Sequence, residues 1–130
     1  MRPFNKDNYF SSLNKIVTEE TKNFFNKSIL ITGANGLIGG TLLDFFLFLN
    51  SEYQANISLS VIVRSRLDVH DFFRDQVINQ MIQSVEEPIH FASDLDYIFH
   101  AASNAHPKAY DLYPVETIMT TTMGTMNTLE

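Results

Sequence analysis

Residues 28–50, SILITGANGLIGGTLLDFFLFLN, decide the fold. Ile29, Leu30 and Ile31 form a short continuous apolar run, the pattern of a central strand covered on both faces in a parallel sheet. Thr32 and Gly33 end that run. Gly33, Gly36 and Gly39 then fall at spacing G-x-x-G-x-x-G. Gly33 suits a tight turn off the strand, Gly36 allows backbone to approach a bound group closely, and Gly39 allows the next helix to pack tightly against the sheet. The start of that helix offers unpaired N–H groups and the positive end of its dipole, a seat for a pyrophosphate.

The residues around this stretch extend the same pattern. Phe45 to Leu49 leave the helix no clean polar face, which predicts cover on more than one side. Ahead of the strand, Phe10, Leu13, Ile16, Val17, Phe24 and Phe25 recur at roughly helical spacing with Asp7 as the expected cap, and the alternative is a frayed extension. Phe24 and Phe25 are placed to reach the apolar helix. Further on, Ile57 to Val63 reads as a second strand, Asp71 to Val77 as a short helix, residues 80–83 as a third strand and Tyr97 to Phe99 as a fourth. Pro114, followed by Val115, Ile118, Met119, Thr122, Met123, Met126 and Leu129, predicts a last helix that carries no stop signal before Glu130.

The fold class expected is α/β: a Rossmann-type, doubly wound parallel sheet of about four strands with an N-terminal helical extension. Residues 1–27 would form the extension and residues 28–130 the sheet domain. In strand order 3-2-1-4 the chain must travel ~22 Å between its third and fourth strands. Ser84 to Asp94 has a reach of ~36 Å, so no crossover helix is required there.

Composition narrows the function classes. With 9 Lys and Arg against 15 Asp and Glu the formal net charge is −6, which excludes a basic surface for nucleic acid. There is no cysteine, so disulfides and thiolate chemistry are excluded. The opening MRPFNKDNYF lacks the apolar core of a signal peptide, and Leu42 to Leu49 falls far short of the ~20 residues of a membrane span. A cytoplasmic location follows as the expectation.

A second motif supports the first. Asp96-Tyr97-Ile98-Phe99-His100-Ala101-Ala102-Ser103 is a strand whose carboxyl end carries two alanines, leaving room for a ligand where such sheets bind them. His100 reads as a strand-end histidine, not a proton carrier. Together TGANGLIGG, DYIFHAAS and PVETIMTTTMGTMNTLE resemble the N-terminal half of extended short-chain dehydrogenases, the NAD-dependent epimerase/dehydratase family that acts on nucleotide sugars.

That resemblance implies the rest. Gly33, Asn35, Gly36, Leu37 and Ile38 would surround a pyrophosphate through backbone N–H groups. Ala101, Ala102 and Ser103 would line the nicotinamide-side ribose, and Ser84 and Val85 would lie beside the adenine, with Ser84 where the family usually has Asp. Arg64 stands where NAD-specific members place an acid, so the cofactor is NAD or NADP. Thr121 replaces a usual Asn, while Gly124 fits. Asn104, Ala105, His106 and Lys108 are candidates to face the sugar nucleotide, although His106 before a proline also reads as an ordinary loop residue. The implied partners are a nucleotide-sugar substrate and a second copy in a homodimer, with Met119, Met123 and Met126 as candidate contacts.

The family's catalytic Tyr-x-x-x-Lys is missing: each of Tyr9, Tyr53, Tyr97, Tyr110 and Tyr113 is followed four residues on by something other than lysine. The expectation is therefore a cofactor-binding half, truncated before its catalytic residues, with no catalytic residue in this chain and no activity of its own. The alternatives are a non-catalytic NAD(P)-sensing or interaction module of the same type, or a structural fragment that pairs with another copy.

Overall fold

A computed structural model describes residues 5–104 and 106–130. The elements run α1 (Lys6–Asn14), a 3-10 turn (Glu19–Phe24), β1 (Ser28–Thr32), α2 (Leu37–Tyr53), β2 (Ser58–Val63), a 3-10 turn (Asp71–Phe73), β3 (Ile78–Ile82), β4 (Tyr97–His100), α3 (Pro107–Leu112) and α4 (Pro114–Leu129). The four strands form one sheet in the order β3-β2-β1-β4, every pair parallel. This is the expected order. The link from β3 to β4 carries no helix, only a turn in which the Glu87 N–H donates to the Ser84 carbonyl at 3.2 Å.

Strand alternation divides the core. Ile29, Ile31, Leu59 and Val61 face α1 and α2 in the larger apolar cluster, while Leu30 and Ile62 turn the other way toward Val85, Met81 and Ile89. Both faces of β1 and β2 are thus covered, which is why these strands read as unbroken apolar runs. Asn50, near the end of α2, stands in for strand backbone at the entry to β2. Its amide donates to the Ile57 carbonyl at 3.0 Å and its Oδ1 accepts the Ile57 N–H at 2.8 Å.

Four local expectations are corrected. Asn5, not Asp7, caps α1, accepting the Asn8 N–H at 3.0 Å; Asp7 lies in the first turn, where its charge suits the dipole. The N-terminal helical stretch is broken after Asn14 and resumes as a 3-10 turn, at whose start the Thr18 N–H donates to Thr21 Oγ1. Of the helix expected at Asp71 to Val77 only Asp71–Phe73 forms, because Phe73 is drawn into the core at 1% exposure and the chain must then extend into β3. The third strand begins at Ile78 and ends at Ile82, because Ile78 pairs with Leu59.

The short α3 lay outside the sequence reading; His106 caps it, with Nδ1 accepting the Lys108 N–H at 3.2 Å. The segment ahead of β1 is well seated: Leu13 is buried, Phe10 packs on Phe48, Phe72 and Phe73 with ring centroids 5.1–5.7 Å apart, and Phe24 reaches Phe46 of α2, the contact expected of it. Among the described residues no helix is long and apolar enough to cross a membrane.

Candidate functional site

The loop from β1 to α2 is shaped by its glycines. Gly33 has φ +70°, a conformation that side chains disfavour, and its N–H donates to the Ile62 carbonyl at 3.0 Å. A Cβ on Gly33 would sit 2.8 Å from the backbone of Ala101 and Ala102. A Cβ on Gly39 would collide with the Gly33 carbonyl, so this glycine packs α2 against its own loop and not, as expected, against the sheet. Gly36 is the N-cap of α2 and no side chain caps that end, so the N–H groups of the first turn meet no side-chain acceptor there.

Thr32 joins this loop to the end of β4. Its Oγ1 accepts the N–H groups of Ala101 and Ala102, each at 3.1 Å, which uses both lone pairs. The hydroxyl proton therefore points to His100 Nδ1, 2.7 Å away. Neutral His100 then carries its proton on Nε2, a buried atom with no hydrogen-bond partner. Burial accordingly holds the His100 pKa below the usual histidine value.

A pH dependence follows. In the unfolded chain His100 titrates near its ordinary value of about 6.5, and in the folded chain below it. Between those values only the unfolded state takes up the proton, so stability is full above pH ~6.5 and falls as the pH drops through that window. Urea unfolding from pH 7.5 to 5 should lose stability more steeply for the wild-type chain than for His100→Asn. Parallel curves would mean that His100 is not held neutral.

At the carboxyl ends of the strands lies a cavity of about 300 Å³. Gly33, Asn35, Gly36, Arg64, Ser84, Val85, Ala101, Ala102 and Ser103 all line it, so nine of the residues singled out in the sequence come together. Leu37 and Ile38 do not line it. They occupy the first turn of α2 with side chains 87% and 70% exposed. Asn104 lines the cavity, His106 and Lys108 do not, and Ala105 lies outside the described residues.

Thr120 also lines this cavity, and no motif marks it. It donates to the Glu86 carboxylate at 2.5 Å, and Asn127 of the same helix donates to the carbonyls of Val85 and Glu87 at 2.9 and 3.2 Å. The Ser84 hydroxyl accepts the Glu86 N–H at 3.2 Å and closes that turn. Thr121 turns back on its own helix, donating to the Thr117 carbonyl. Gly124 explains how α4 comes so close: a Cβ there would lie 2.8 Å from the Val85 side chain and 3.2 Å from the His100 ring.

The Asn35 side chain performs a task that its backbone assignment did not foresee. Its amide nitrogen donates to the carbonyls of Ser65 and Arg66 and to Ser65 Oγ at 3.2–3.4 Å, and its Oδ1 accepts the Asp68 N–H at 3.2 Å. The glycine loop and the segment after β2 are thereby tied together.

Behind the loop is a second concavity, where Asp44 of α2 accepts the Tyr9 hydroxyl at 2.7 Å and lies 3.4 Å from His70. Burial raises the pKa of Asp44 while the Tyr9 hydrogen bond and His70 oppose it, and burial with Asp44 beside it raises that of Tyr9. The cluster pins α1 to α2. Among the described residues no three or more His, Asp or Glu side chains could hold a metal ion.

Comparison with known proteins adds independent observations. UDP-glucuronic acid decarboxylase 1 of Danio rerio is 29% identical over 103 residues, covering 79% of this chain and 24% of that protein. UDP-glucuronic acid decarboxylase 6 of Arabidopsis thaliana is 31% identical, covering 80% of this chain and 29% of its own length. UDP-glucose 4-epimerase of Rickettsia massiliae (strain Mtu5) is 29% identical, with 82% and 33% covered. The chain thus spans between a quarter and a third of these relatives. Among solved structures, that of Pen from Bacillus thuringiensis superposes with a TM-score of 0.60 at 26% identity, over 80% of this chain and 32% of that one. Residues 29–130 match the NAD dependent epimerase/dehydratase family, and because that match reaches all four strands, the glycine loop and α4, the chain belongs to this family.

Proposed function

We propose that this chain is the NAD(P)-binding part of an enzyme that epimerises, dehydrates or decarboxylates a nucleotide sugar by hydride transfer through a transient keto sugar. The observation that carries the reading is the cavity at the carboxyl ends of the strands, walled by a loop in which side chains at Gly33 or Gly39 would collide with backbone. The decarboxylases and epimerases among its relatives support the same class.

The residues present fit a dinucleotide. Backbone N–H groups at Asn35, Leu37 and Ile38, with the uncapped start of α2, would hold a pyrophosphate. Ala101, Ala102 and Ser103, fixed by Thr32, would leave room for a ribose and the ring beyond it. Ser84 and Val85 would flank the adenine. When bound, the nicotinamide supplies a reversible hydride acceptor. No residue of this chain is assigned a proton-transfer role, since none of its tyrosines has a lysine four positions on. The chain by itself should turn over no substrate. On this reading the enzyme is a cytoplasmic homodimer, and the exposed Ile118, Met119 and Met126 of α4 are the surface available for that contact.

Calorimetric titration with NAD and with NADP tests the proposal. Saturable one-to-one binding of either is the expected result. No heat from either at concentrations on the order of millimolar, by a chain with a cooperative thermal melt, would overturn it. Turnover of a nucleotide sugar by the chain alone would refute the absence of a catalytic residue.

A further inference from the structure

We infer that His100 is a positioning residue for the cavity: its neutral ring holds the Thr32 hydroxyl in the orientation that fixes Ala101 and Ala102 in the wall, so that protonating the ring weakens dinucleotide binding. The inference rests on the dinucleotide-binding reading above. Its first support is a count of donors and acceptors. Thr32 Oγ1 accepts the N–H groups of Ala101 and Ala102 at 3.1 Å and gives its only proton to His100 Nδ1 at 2.7 Å. A protonated ring turns Nδ1 into a donor. Three donors then face two lone pairs, and the hydroxyl proton loses its acceptor. Among the described residues the Ala102 N–H has no other acceptor, whereas the Ala101 N–H also reaches the Thr32 carbonyl at 3.3 Å. Ala102 is therefore the residue set free.

The second support is the setting of the ring. Its Nε2 is buried without a hydrogen-bond partner, so among the described residues Thr32 is the one polar group that the imidazole engages. On the other side a Cβ on Gly124 would stand 3.2 Å from the ring Cε1 and 3.4 Å from Nε2, which leaves the ring clamped between α4 and β1. No charge competes for it. β1 carries no titratable side chain, and Glu116 and Glu130 of α4 are exposed. In the turn after β3 it is Val85 that meets Gly124 beside the ring, while Glu86 is engaged by Thr120 and Glu87 is exposed. Tyr97 lies at the opposite end of β4, next to Asp96, which accepts the Ser28 N–H. Burial alone thus favours the neutral ring.

The third support is the place of the segment that Thr32 holds. Ala101 and Ala102 line the cavity, and a Cβ on Gly33 would stand 2.8 Å from the backbone of both, so the glycine loop rests directly on them. Loosening them disturbs two walls at once, the one proposed for a ribose and the one proposed for a pyrophosphate. His100 itself does not line the cavity. Its effect reaches the ligand through Thr32 and not through contact.

The test is titration of the wild-type chain, His100→Asn, Thr32→Ser and Thr32→Val with NAD from pH 7.5 to 5.5, each chain shown by circular dichroism to be folded over that range. NAD is the probe because it carries no phosphate monoester, a group that itself titrates near pH ~6. Wild-type affinity should fall about threefold or more on acidification, the order expected when a buried hydrogen bond is left unmade. Thr32→Ser, which keeps the hydroxyl, should follow the same profile, while His100→Asn and Thr32→Val should give flat ones. A structural role alone would alter thermal stability and leave the wild-type binding profile flat. NMR titration of the His100 ring supplies a second readout: by reciprocity, saturating amounts of whichever of NAD or NADP the chain binds should depress the ring pKa. A flat wild-type profile, affinity that rises with acid, or a ring pKa unmoved by the cofactor overturns the inference and leaves the dinucleotide reading intact. If a folded wild-type chain binds neither cofactor at pH 7.5, both fail together.

Discussion

Gly33→Ala should destabilise the chain by about 2–5 kcal/mol and abolish cofactor binding. Two separate costs add at this position. The backbone sits at φ +70°, where an L side chain loses about 1–2 kcal/mol. The new Cβ would also stand 2.8 Å from the carbonyl group of Ala101 and from Ala102 Cα. Those atoms cannot swing aside as a flexible side chain would, since Thr32 Oγ1 holds both N–H groups, and forced overpacking of this kind costs about 1–3 kcal/mol. Relief can come only by moving β4's end away from β1, which opens the floor of the cavity.

Gly36→Ala separates fold from binding. Its Cβ would meet a single atom, the Gly33 carbonyl oxygen at 3.2 Å, and no positive φ is involved. Its urea midpoint should stay close to that of the wild type while cofactor affinity drops, because the methyl group lies in the cavity wall. Equal losses of stability in the two variants would show that the loop is not pinned by the β4 end as described.

The contrast explains what was legible in the sequence. The sheet, its strand order and most of the cavity wall could be read because they rest on local signals: an apolar run, glycines at fixed spacing, two alanines closing a strand. What escaped the reading depends on partners distant in sequence. Thr32 meets His100, Ala101 and Ala102 across 68 to 70 positions, and Asn35 meets Ser65 and Arg66 across 30 and 31. Neither side chain advertises this: a threonine ending a strand and an asparagine in a glycine loop are ordinary in their own surroundings. The misplaced boundaries share one physical reason, tertiary pull over local preference. Phe73 ends a helical turn early because its ring is needed in the core, and β3 starts at Ile78 because β2 offers Leu59 as its neighbour.

Phe46→Ala tests whether that tertiary pull includes the segment ahead of β1. Phe46 is 1% exposed and its ring closes a triangle with Phe24 at 5.2 Å and Phe99 of β4 at 5.5 Å, which are themselves 6.1 Å apart. Deleting it leaves a cavity that neither the sheet nor α2 can collapse to fill, and the expected cost is about 3–5 kcal/mol. Against a typical total of about 5–15 kcal/mol this removes a large share of stability. Phe45→Ala, one position along and only partly buried, should cost clearly less. The edge-to-face contact between Phe24 and Phe46 should appear in a double-mutant cycle as a coupling of about 0.5–1.5 kcal/mol. A coupling of zero would detach the leading segment from the sheet energetically, whereas the expected value makes Phe24 part of the same core that supports the glycine loop, so that trimming residues 1–27 would weaken the cofactor site without touching it.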